Sequence, residues 1–259
     1  MWPLLLLHLL AFSLLPEAEA GEIIGGHEVK PHSRPYMACL SIQDNGESRC
    51  GGVLLRENFV LTAAHCNGRI ITVTLGAHNI QEKEETQQVI RVKTAIPHPD
   101  YNAKNISNDI MLLQLERNIK PTNAVKPLHL PRGKSPPRPG QKCAVAGWGK
   151  VAPQDRLSDT LQEAYLTVQK DTVCENLFNY YYSRASQLCV GDPKEKKASF
   201  QGDSGGPLMC GKRIQGIVSY GRKNGMAPRV FTKISSFLPW IKKTMRNLTS
   251  QEPDYLLWS

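Results

Sequence analysis

The chain has 259 residues, of which 41% are hydrophobic and 21% charged, a balance that fits a globular protein and excludes an intrinsically disordered one. Its 20 glycines and 18 prolines favour many turns and short strands over long helices. Neither an internal repeat nor a low-complexity tract is visible, which argues against a solenoid or a fibre. Lys and Arg outnumber Asp and Glu by 32 to 23, so the surface should attract polyanions.

The N-terminus carries an apolar run over residues 4–15, which is shorter than the roughly 20 residues that cross a bilayer. Ala18-Glu19-Ala20 follows, a small-x-small sequence typical of a signal-peptidase site. Although the first residues contain no Lys or Arg, we predict a signal peptide over residues 1–20, a secreted protein and no transmembrane segment. Residues 1–22 contain three acids and no basic residue, so their removal raises the formal net charge from +9 to +12.

Short apolar runs separated by Gly, Pro, Asn or Asp dominate the chain and predict an all-β fold. They include residues 36–42, 52–55, 59–62, 70–75, 88–96, 110–115, 142–147, 162–169, 207–210, 213–220 and 229–234. A stretch rich in Pro, Lys and Arg, residues 116–141, separates two halves of similar strand content and is predicted to connect two subdomains.

After Ser235 the apolar spacing changes to that of a helix. Five apolar side chains fall on one face, while the basic residues lie elsewhere, so a C-terminal amphipathic helix is predicted. The apolar residues are Phe237, Leu238, Ile241, Met245 and Leu248. We assign no role to the tail, residues 251–259.

The basic residues form small groups, of which the one in this helix, Lys242, Lys243 and Arg246, is an example. None of the groups has the interleaved aromatic residues of a nucleic-acid module, so no specific nucleic-acid partner is expected. A soluble surface that binds polyanions nonspecifically is the simpler interpretation, with a sulfated proteoglycan as the expected partner.

Seven cysteines in a secreted chain predict three disulfides and one leftover thiol. Two N-x-S/T sequons, at Asn105 and Asn247, predict N-glycosylation of the surface.

Three local segments combine residue types that nucleophilic catalysis needs. His65 ends the sequence LTAAH before a cysteine, Asp109 heads the apolar run DIMLL, and Ser204 sits in the Gly-rich turn GDSGGP. Each alone has a simpler explanation, as a structural histidine, a turn-forming acid or a turn serine. The three together, in the order His, Asp, Ser, predict a hydrolytic site.

The chain resembles the chymotrypsin-like serine proteases from Ile23 to about Leu248. The resemblance rests on IIGG at 23–26, CGG at 50–52, TAAHC, DIMLL, GWG at 147–149, GDSGGP and SYG at 219–221. It implies two six-stranded antiparallel β-barrels with a C-terminal α-helix, a protease domain over residues 23–259, and peptide-bond hydrolysis that needs neither a metal nor a cofactor.

The resemblance also implies roles for these residues. His65 is the general base that takes the proton of Ser204, and Asp109 orients the imidazole and stabilises its protonated form. The backbone N–H groups of Gly202 and Ser204 form the oxyanion hole.

Activation by proteolysis is implied in the same way. Gly21-Glu22 resembles an activation dipeptide, which a dipeptidyl peptidase would remove to leave Ile23 as the new N-terminus. The Ile23 ammonium is expected to pair with the Asp203 carboxylate and so order the turn that carries Ser204.

The disulfides that the resemblance implies are Cys50–Cys66, Cys143–Cys210 and Cys174–Cys189. Cys39 remains, and we expect a buried free thiol there. Many relatives have a further bridge beside the specificity pocket; Phe200 occupies its first position here, as in the granzymes.

The residues expected to line that pocket are Ala198, Ser199, Phe200, Ser219, Tyr220, Gly221 and Arg229. A trypsin-like enzyme has an acid at the position of Ala198, so cleavage after Lys or Arg is not expected. The Arg229 guanidinium would offer two donors to a substrate carboxylate and penalise apolar side chains.

Further segments resemble the granzyme and mast-cell protease group, among them KPHSRPYMA, VTLGAHNI, CVGDP and GIVSYGR. This implies a cytotoxic-granule protease that prefers Asp, and accepts Glu, before the cut. The resemblance also implies that it cleaves caspases and related death substrates and is inhibited by serpins.

Two alternatives stay open. The first is a protease resembling mast-cell chymase or granzyme H, with an apolar or mixed pocket, which requires that Arg229 point to solvent or be neutralised internally. The second is a basic granule protein without catalytic activity that acts by binding polyanions.

Overall fold

The computed structural model describes residues 26–131, 133, 135–150, 156–195, 202–222 and 224–249. Several predicted features lie outside these residues: the signal peptide, the activation dipeptide, Ile23, the pocket residues Ala198, Ser199 and Phe200, and the tail 251–259.

Thirteen strands and two α-helices follow one another along the described residues. The strands are β1 (His27–Glu28), β2 (Met37–Gln43), β3 (Glu47–Arg56), β4 (Phe59–Thr62), β5 (Ile70–Leu75), β6 (Gln88–Pro97), β7 (Met111–Leu115), β8 (Lys142–Gly147), β9 (Gln162–Thr167), β10 (Gln187–Val190), β11 (Pro207–Cys210), β12 (Arg213–Gly221) and β13 (Arg229–Lys233). The helices are α1 (Asp171–Phe178) and α2 (Ile234–Thr249), and Ala64–Cys66 and Asn179–Tyr181 form single 3-10 turns.

The first half of the chain closes into a six-stranded antiparallel barrel in the order β2-β3-β4-β7-β6-β5. Its inward-facing side chains are aliphatic and fully buried, as in Leu40, Val53, Leu61, Val73 and Leu112. Closure leaves no open sheet edge and fixes the two chain segments that follow β4 and precede β7.

The second half forms a sheet in the order β1-β9-β8-β11-β12-β13-β10. A single bridge between Val168, the residue after β9, and Val190 of β10 brings two distant strands of this curved sheet together. The short strand β1 adds to the outer edge of β9. Cys143, Val145, Leu208, Val218 and Phe231 form the core of this half.

Helix α2 returns from the second half to the first. Phe237, Leu238, Ile241 and Met245 are buried in the same cluster as the core of the first barrel, and Leu248 packs against it partly buried. The helical face predicted from the sequence is therefore the packing face. No helix among the described residues is long and apolar enough to span a membrane.

The structure confirms the predicted fold class and adds elements that the sequence pattern missed. Helix α1 has only eight residues, although its apolar side chains Val173, Cys174, Leu177 and Phe178 have helical spacing, and its Cys174 is tied to β10 by a disulfide. Strand β1 has two exposed residues, and β10 has four buried ones. Two or four residues are too few to show the alternation of a strand, and the two turns of α1 are shorter than the window in which helical periodicity is usually recognised.

Candidate active site

His65 lies in the 3-10 turn Ala64–Cys66, two residues after β4. Its flanking residues Ala64 and Cys66 are buried, whereas its own side chain is 31% exposed. Because Cys66 is disulfide-bonded to Cys50 on β3, the turn is tied to a neighbouring strand of the barrel. The imidazole is thus held in place and still accessible to a reactant.

Asp109 faces His65 from the segment before β7. Its Oδ2 lies 2.8 Å from His65 Nδ1, and its Oδ1 accepts the His65 backbone N–H at 3.0 Å. A carboxylate can only accept hydrogen bonds, so Nδ1 carries the proton of a neutral ring and Nε2 keeps its lone pair. In this tautomer Nε2 can take a proton from a hydroxyl.

The Asp109 carboxylate is buried, with 1% of its residue surface exposed. Burial by itself raises the pKa of this carboxyl, but the hydrogen bonds from His65 and Ser219 outweigh it, so the pKa lies below its ordinary value of 3.8. Ser219 Oγ donates to Oδ2 at 2.5 Å, and Thr232 Oγ1 donates to the Asp109 carbonyl at 2.7 Å. Asp109 is therefore ionised at neutral pH and locked in orientation.

Ser204 is half-buried in the turn before β11 and is joined to the His65 segment through its backbone. Its carbonyl accepts the Gly51 N–H at 2.7 Å, and Cys66 Sγ lies 3.7 Å from the same oxygen. The turn itself is closed by Gly206 N–H donating to the Asp203 carbonyl at 2.9 Å. These contacts place the turn against the residues on either side of the Cys50–Cys66 disulfide.

The glycines around Ser204 are required by the backbone. Gly202 has φ +100° and Gly205 has φ +82°, in the left-handed region that side chains rarely adopt. A Cβ at Gly205 would collide with Thr62 Oγ1 and lie 2.5 Å from the Gly51 carbonyl oxygen. The GDSGGP sequence is therefore the one that lets this turn approach the first barrel.

Asp203 is fully buried next to Ser204, and Gly149 N–H donates to its Oδ1 at 2.9 Å. A Cβ at either Gly147 or Gly149 would collide with this carboxylate. The two glycines of the GWG motif thus make room for the Asp203 side chain, a role that the sequence analysis did not assign.

Arg229 begins β13 and is 8% exposed, so its side chain does not point to solvent. Its Nη1 donates to the Arg222 carbonyl at 3.0 Å. Burial lowers the pKa of the Arg229 guanidinium to about 10, while attraction to the Asp203 carboxylate opposes the shift. The group is still a cation at neutral pH, held in a poorly solvated position.

The strand β12 connects this cation to the His65–Asp109 pair. Ser219 on β12 donates to Asp109. Two residues further along β12, Gly221 pairs with Arg229 on the neighbouring strand β13. A Cβ at Gly221 would lie 2.5 to 2.7 Å from Cδ, Nε and Cζ of Arg229. Between them, Tyr220 is half-buried, and its hydroxyl donates to the Tyr181 carbonyl at 2.7 Å.

All seven cysteines lie within the described residues. The pairs Cys50–Cys66, Cys143–Cys210 and Cys174–Cys189 are disulfide-bonded, and Cys39 is free and buried on β2. Burial raises the pKa of the Cys39 thiol to about 12, against a lowering effect of Arg49. Cys39 is therefore a small apolar core residue rather than a reactive thiol. The sequon residues Asn105 and Asn247 are both exposed.

The structure thus brings together residues from both halves: His65 and Asp109 from the first barrel with Ser219, Thr232 and the Ser204 turn from the second. Ser219 was predicted from the sequence only as a pocket residue, and its hydrogen bond to Asp109 was not predicted. Thr232 was not predicted at all, because one threonine in a strand gives no signal before its neighbour across the interface is known.

Comparisons with known proteins identify the family of the chain. The trypsin family, described as "Trypsin", matches residues 23–241. The chain belongs to the trypsin family and is a serine endopeptidase.

Its relatives place it among the granzyme-like proteases. Human granzyme B is 65% identical over 247 residues, which cover 95% of this chain and 99% of that protein. Human granzyme H is 61% identical over 249 residues, covering 96% and 100%. A solved structure described as "Structure of GrC" matches with a TM-score of 0.83 and 60% identity, over 86% of this chain and 100% of that one. The resemblance drawn from the sequence motifs is confirmed.

Proposed function

We propose that the chain is a granzyme B-like endopeptidase that cleaves peptide bonds after Asp, and less readily after Glu. The observation that carries the specificity is the buried Arg229. Its backbone pairs with Gly221, which follows Ser219, the donor to Asp109, by two residues on β12. An acidic substrate side chain beside the Arg229 guanidinium would regain the electrostatic interactions that burial has removed from the cation.

In the proposed reaction Ser204 Oγ attacks the scissile carbonyl carbon while its proton passes to His65 Nε2. The imidazolium, stabilised by Asp109, then gives that proton to the leaving amine as the C–N bond breaks. A water molecule repeats the sequence on the acyl-enzyme and restores Ser204. The ionised state of Asp109 and the tautomer of His65 support these roles.

The oxyanion of each tetrahedral intermediate is assigned to the N–H groups of Gly202 and Ser204. The glycines of the turn support this assignment, because Gly202 and Gly205 on either side of Ser204 adopt the left-handed backbone conformation that glycine takes most readily. Loss of one such donor typically costs about 10²–10³ in rate.

A panel of peptides that differ only in the residue before the cut tests the specificity. We expect faster cleavage after Asp than after Phe or Leu, and Arg229→Gly should move the preference towards apolar residues. Faster cleavage of the Phe or Leu peptide by the unmodified enzyme would instead support the chymase-like or granzyme H-like alternative.

The non-catalytic alternative makes a separate prediction. A fluorophosphonate should label Ser204 in the processed protein and should fail to label Ser204→Ala. Absence of labelling in the processed wild-type protein would favour a basic protein that acts only by binding polyanions.

Activation is proposed to follow removal of Gly21-Glu22 by a dipeptidyl peptidase, which frees Ile23 to pair with Asp203. The support is that Asp203 is a fully buried carboxylate adjacent to Ser204, and a buried carboxylate is stabilised by a paired cation. We expect protein that retains Gly21-Glu22 to be nearly inactive. Equal turnover by the proform and the processed form would contradict this step.

The cellular role is proposed from the same relationship. A granzyme B-like enzyme would be secreted into cytolytic granules, bind sulfated proteoglycan there, cleave caspases and related substrates, and be inhibited by serpins. The net charge of +12 from Ile23 onward supports proteoglycan binding, and the exposed Asn105 and Asn247 support glycosylation. Cleavage of a recombinant procaspase at an Asp, lost in Ser204→Ala, tests the substrate assignment.

A further inference from the structure

The loop after β5 contacts the first described strand through one buried histidine. His78, which is 7% exposed, lies with Nε2 2.8 Å from Glu28 Oε1 on β1. Thr160 Oγ1 donates to the other carboxylate oxygen of Glu28 at 3.1 Å. Both oxygens of this one side chain are therefore used, each by a different segment of the chain. We refer to Glu28, His78 and Thr160 as the N-terminal clasp.

Strand β1 needs such side-chain contacts because it is so short. It has two residues, His27 and Glu28, which pair with Glu163 and Gln162 of β9. The next backbone hydrogen bond is from Val29 N–H to the Leu161 carbonyl at 3.1 Å. So few backbone hydrogen bonds do not by themselves fix a chain end, since each contributes only about 1 kcal/mol net.

His78 is itself held firmly. Its backbone N–H donates to Glu84 Oε2 at 2.8 Å, and the Asn79 N–H donates to Oε1 at 3.0 Å. Because Glu28 can only accept, His78 Nε2 carries the proton of their hydrogen bond. The clasp therefore joins β1 to a loop whose own geometry is fixed by another carboxylate.

The backbone of His78 leads in a second direction, to Asp203. The Trp148 indole N–H donates to the His78 carbonyl at 3.0 Å, and Trp148 is 1% exposed. The next residue, Gly149, donates its N–H to Asp203 Oδ1 at 2.9 Å. His78 thus contacts β1 through its side chain. Through its carbonyl it is also linked, by way of Trp148 and Gly149, to the Asp203 carboxylate.

We propose that Glu28 and His78 are positioning residues for activation: the clasp holds the processed N-terminal segment so that the Ile23 ammonium reaches Asp203. The proposal rests on the activation step of the proposed function. Ile23 precedes Glu28 by five residues, a reach of about 17 Å when extended. Anchoring Glu28 restricts the volume that the free N-terminus of so short a segment samples. A larger fraction of the molecules should therefore have the Ile23 ammonium in contact with the Asp203 carboxylate.

The test uses the processed chain that begins at Ile23, with Glu28→Ala, Glu28→Gln and a matched control, Glu47→Ala. Glu47 is also an exposed strand glutamate that accepts one serine hydroxyl, from Ser41 at 3.1 Å, but it lies away from β1. Two quantities are measured for each: the fraction of active enzyme by fluorophosphonate titration, and the rate at which cyanate carbamylates the Ile23 amine.

We expect Glu28→Ala to lower the active fraction and to speed carbamylation of Ile23 by about three- to tenfold, the range for loss of one partly exposed, charge-assisted hydrogen bond. Glu28→Gln should partly restore both values, because its amide oxygen still accepts from His78. Glu47→Ala should match the wild-type protein. Thr160→Val removes the second donor and should shift both quantities in the same direction by a smaller factor.

The results separate this proposal from the activation step beneath it. If carbamylated Ile23 leaves the wild-type enzyme fully active, the Ile23–Asp203 contact is wrong and the clasp proposal is overturned with it. If carbamylation inactivates the enzyme but Glu28→Ala behaves as Glu47→Ala does, only the clasp is overturned. The clasp proposal is also overturned if Glu28→Ala lowers activity while its Ile23 amine is carbamylated no faster than in the wild-type protein. The loss of activity would then have a cause other than release of Ile23.

Discussion

Ser219 Oγ donates to Asp109 Oδ2 over 2.5 Å, so β12, which also pairs with Arg229 through Gly221, holds the carboxylate that faces His65. The residues proposed for specificity and those proposed for catalysis are therefore connected by one strand. A change on β12 is expected to alter substrate selection, turnover or both, depending on which end of the strand it affects.

Substitution of Ser219 affects the end nearest the imidazole. Ser219→Ala removes one of the donors to the ionised Asp109, and we expect kcat to fall about tenfold with a small change in KM, since a hydrogen bond to a charged group contributes about 1.5–3 kcal/mol. Steady-state kinetics on the Asp peptide measure the effect. Ser236→Ala, which removes a hydroxyl bonded to the Ala185 carbonyl on the surface, is the control. An unchanged kcat in Ser219→Ala would contradict this role.

Substitution of Gly221 affects the other end. In Gly221→Ala the new methyl group would overlap the Arg229 side chain at Cδ, Nε and Cζ, so the guanidinium must move. We expect the Asp-over-Leu ratio of kcat/KM to fall at least tenfold, while fluorophosphonate labelling of Ser204 remains. Gly46→Ala, where no atom lies within 4 Å of the added carbon, should leave the ratio unchanged. Equal ratios in the two variants would show that Arg229 does not set the preference.

The sequence was sufficient for the fold class and for the family, because both are indicated by short apolar runs and by local motifs such as TAAHC and GDSGGP. It was not sufficient for contacts between the two halves. Thr232 and Ser219 meet Asp109 only after β12 and β13 pack against the first barrel, and Glu28 meets His78 across 50 residues of chain. Local periodicity contains no information on such pairs. The elements β1 and α1 were missed because two residues and two helical turns are too short to stand out from the surrounding sequence.

The preference for Asp should depend on pH through Arg229. The guanidinium has a pKa of about 10, so it loses its charge as the pH rises through that value, while a substrate Asp stays ionised throughout. We therefore expect the Asp-over-Leu ratio of kcat/KM to be constant near neutral pH and to fall as the pH passes about 10. Use of a ratio cancels the general loss of activity in alkali. A constant ratio up to pH 11 would contradict the prediction.

Acid stability should depend on Asp109. Its pKa in the folded chain lies below the ordinary 3.8, so its ionised form stabilises the fold at any pH above about 4, and this contribution is lost as the pH falls through the lower folded pKa. The wild-type protein should therefore lose Tm more steeply below about pH 4 than Asp109→Asn does, although the variant is less stable at neutral pH. Thermal unfolding followed from pH 2 to 7 measures the slopes. Asp44→Asn, a change at an exposed carboxylate, should follow the wild-type curve. Parallel curves for wild type and Asp109→Asn would mean that the hydrogen bonds from His65 and Ser219 do not stabilise the ionised carboxylate.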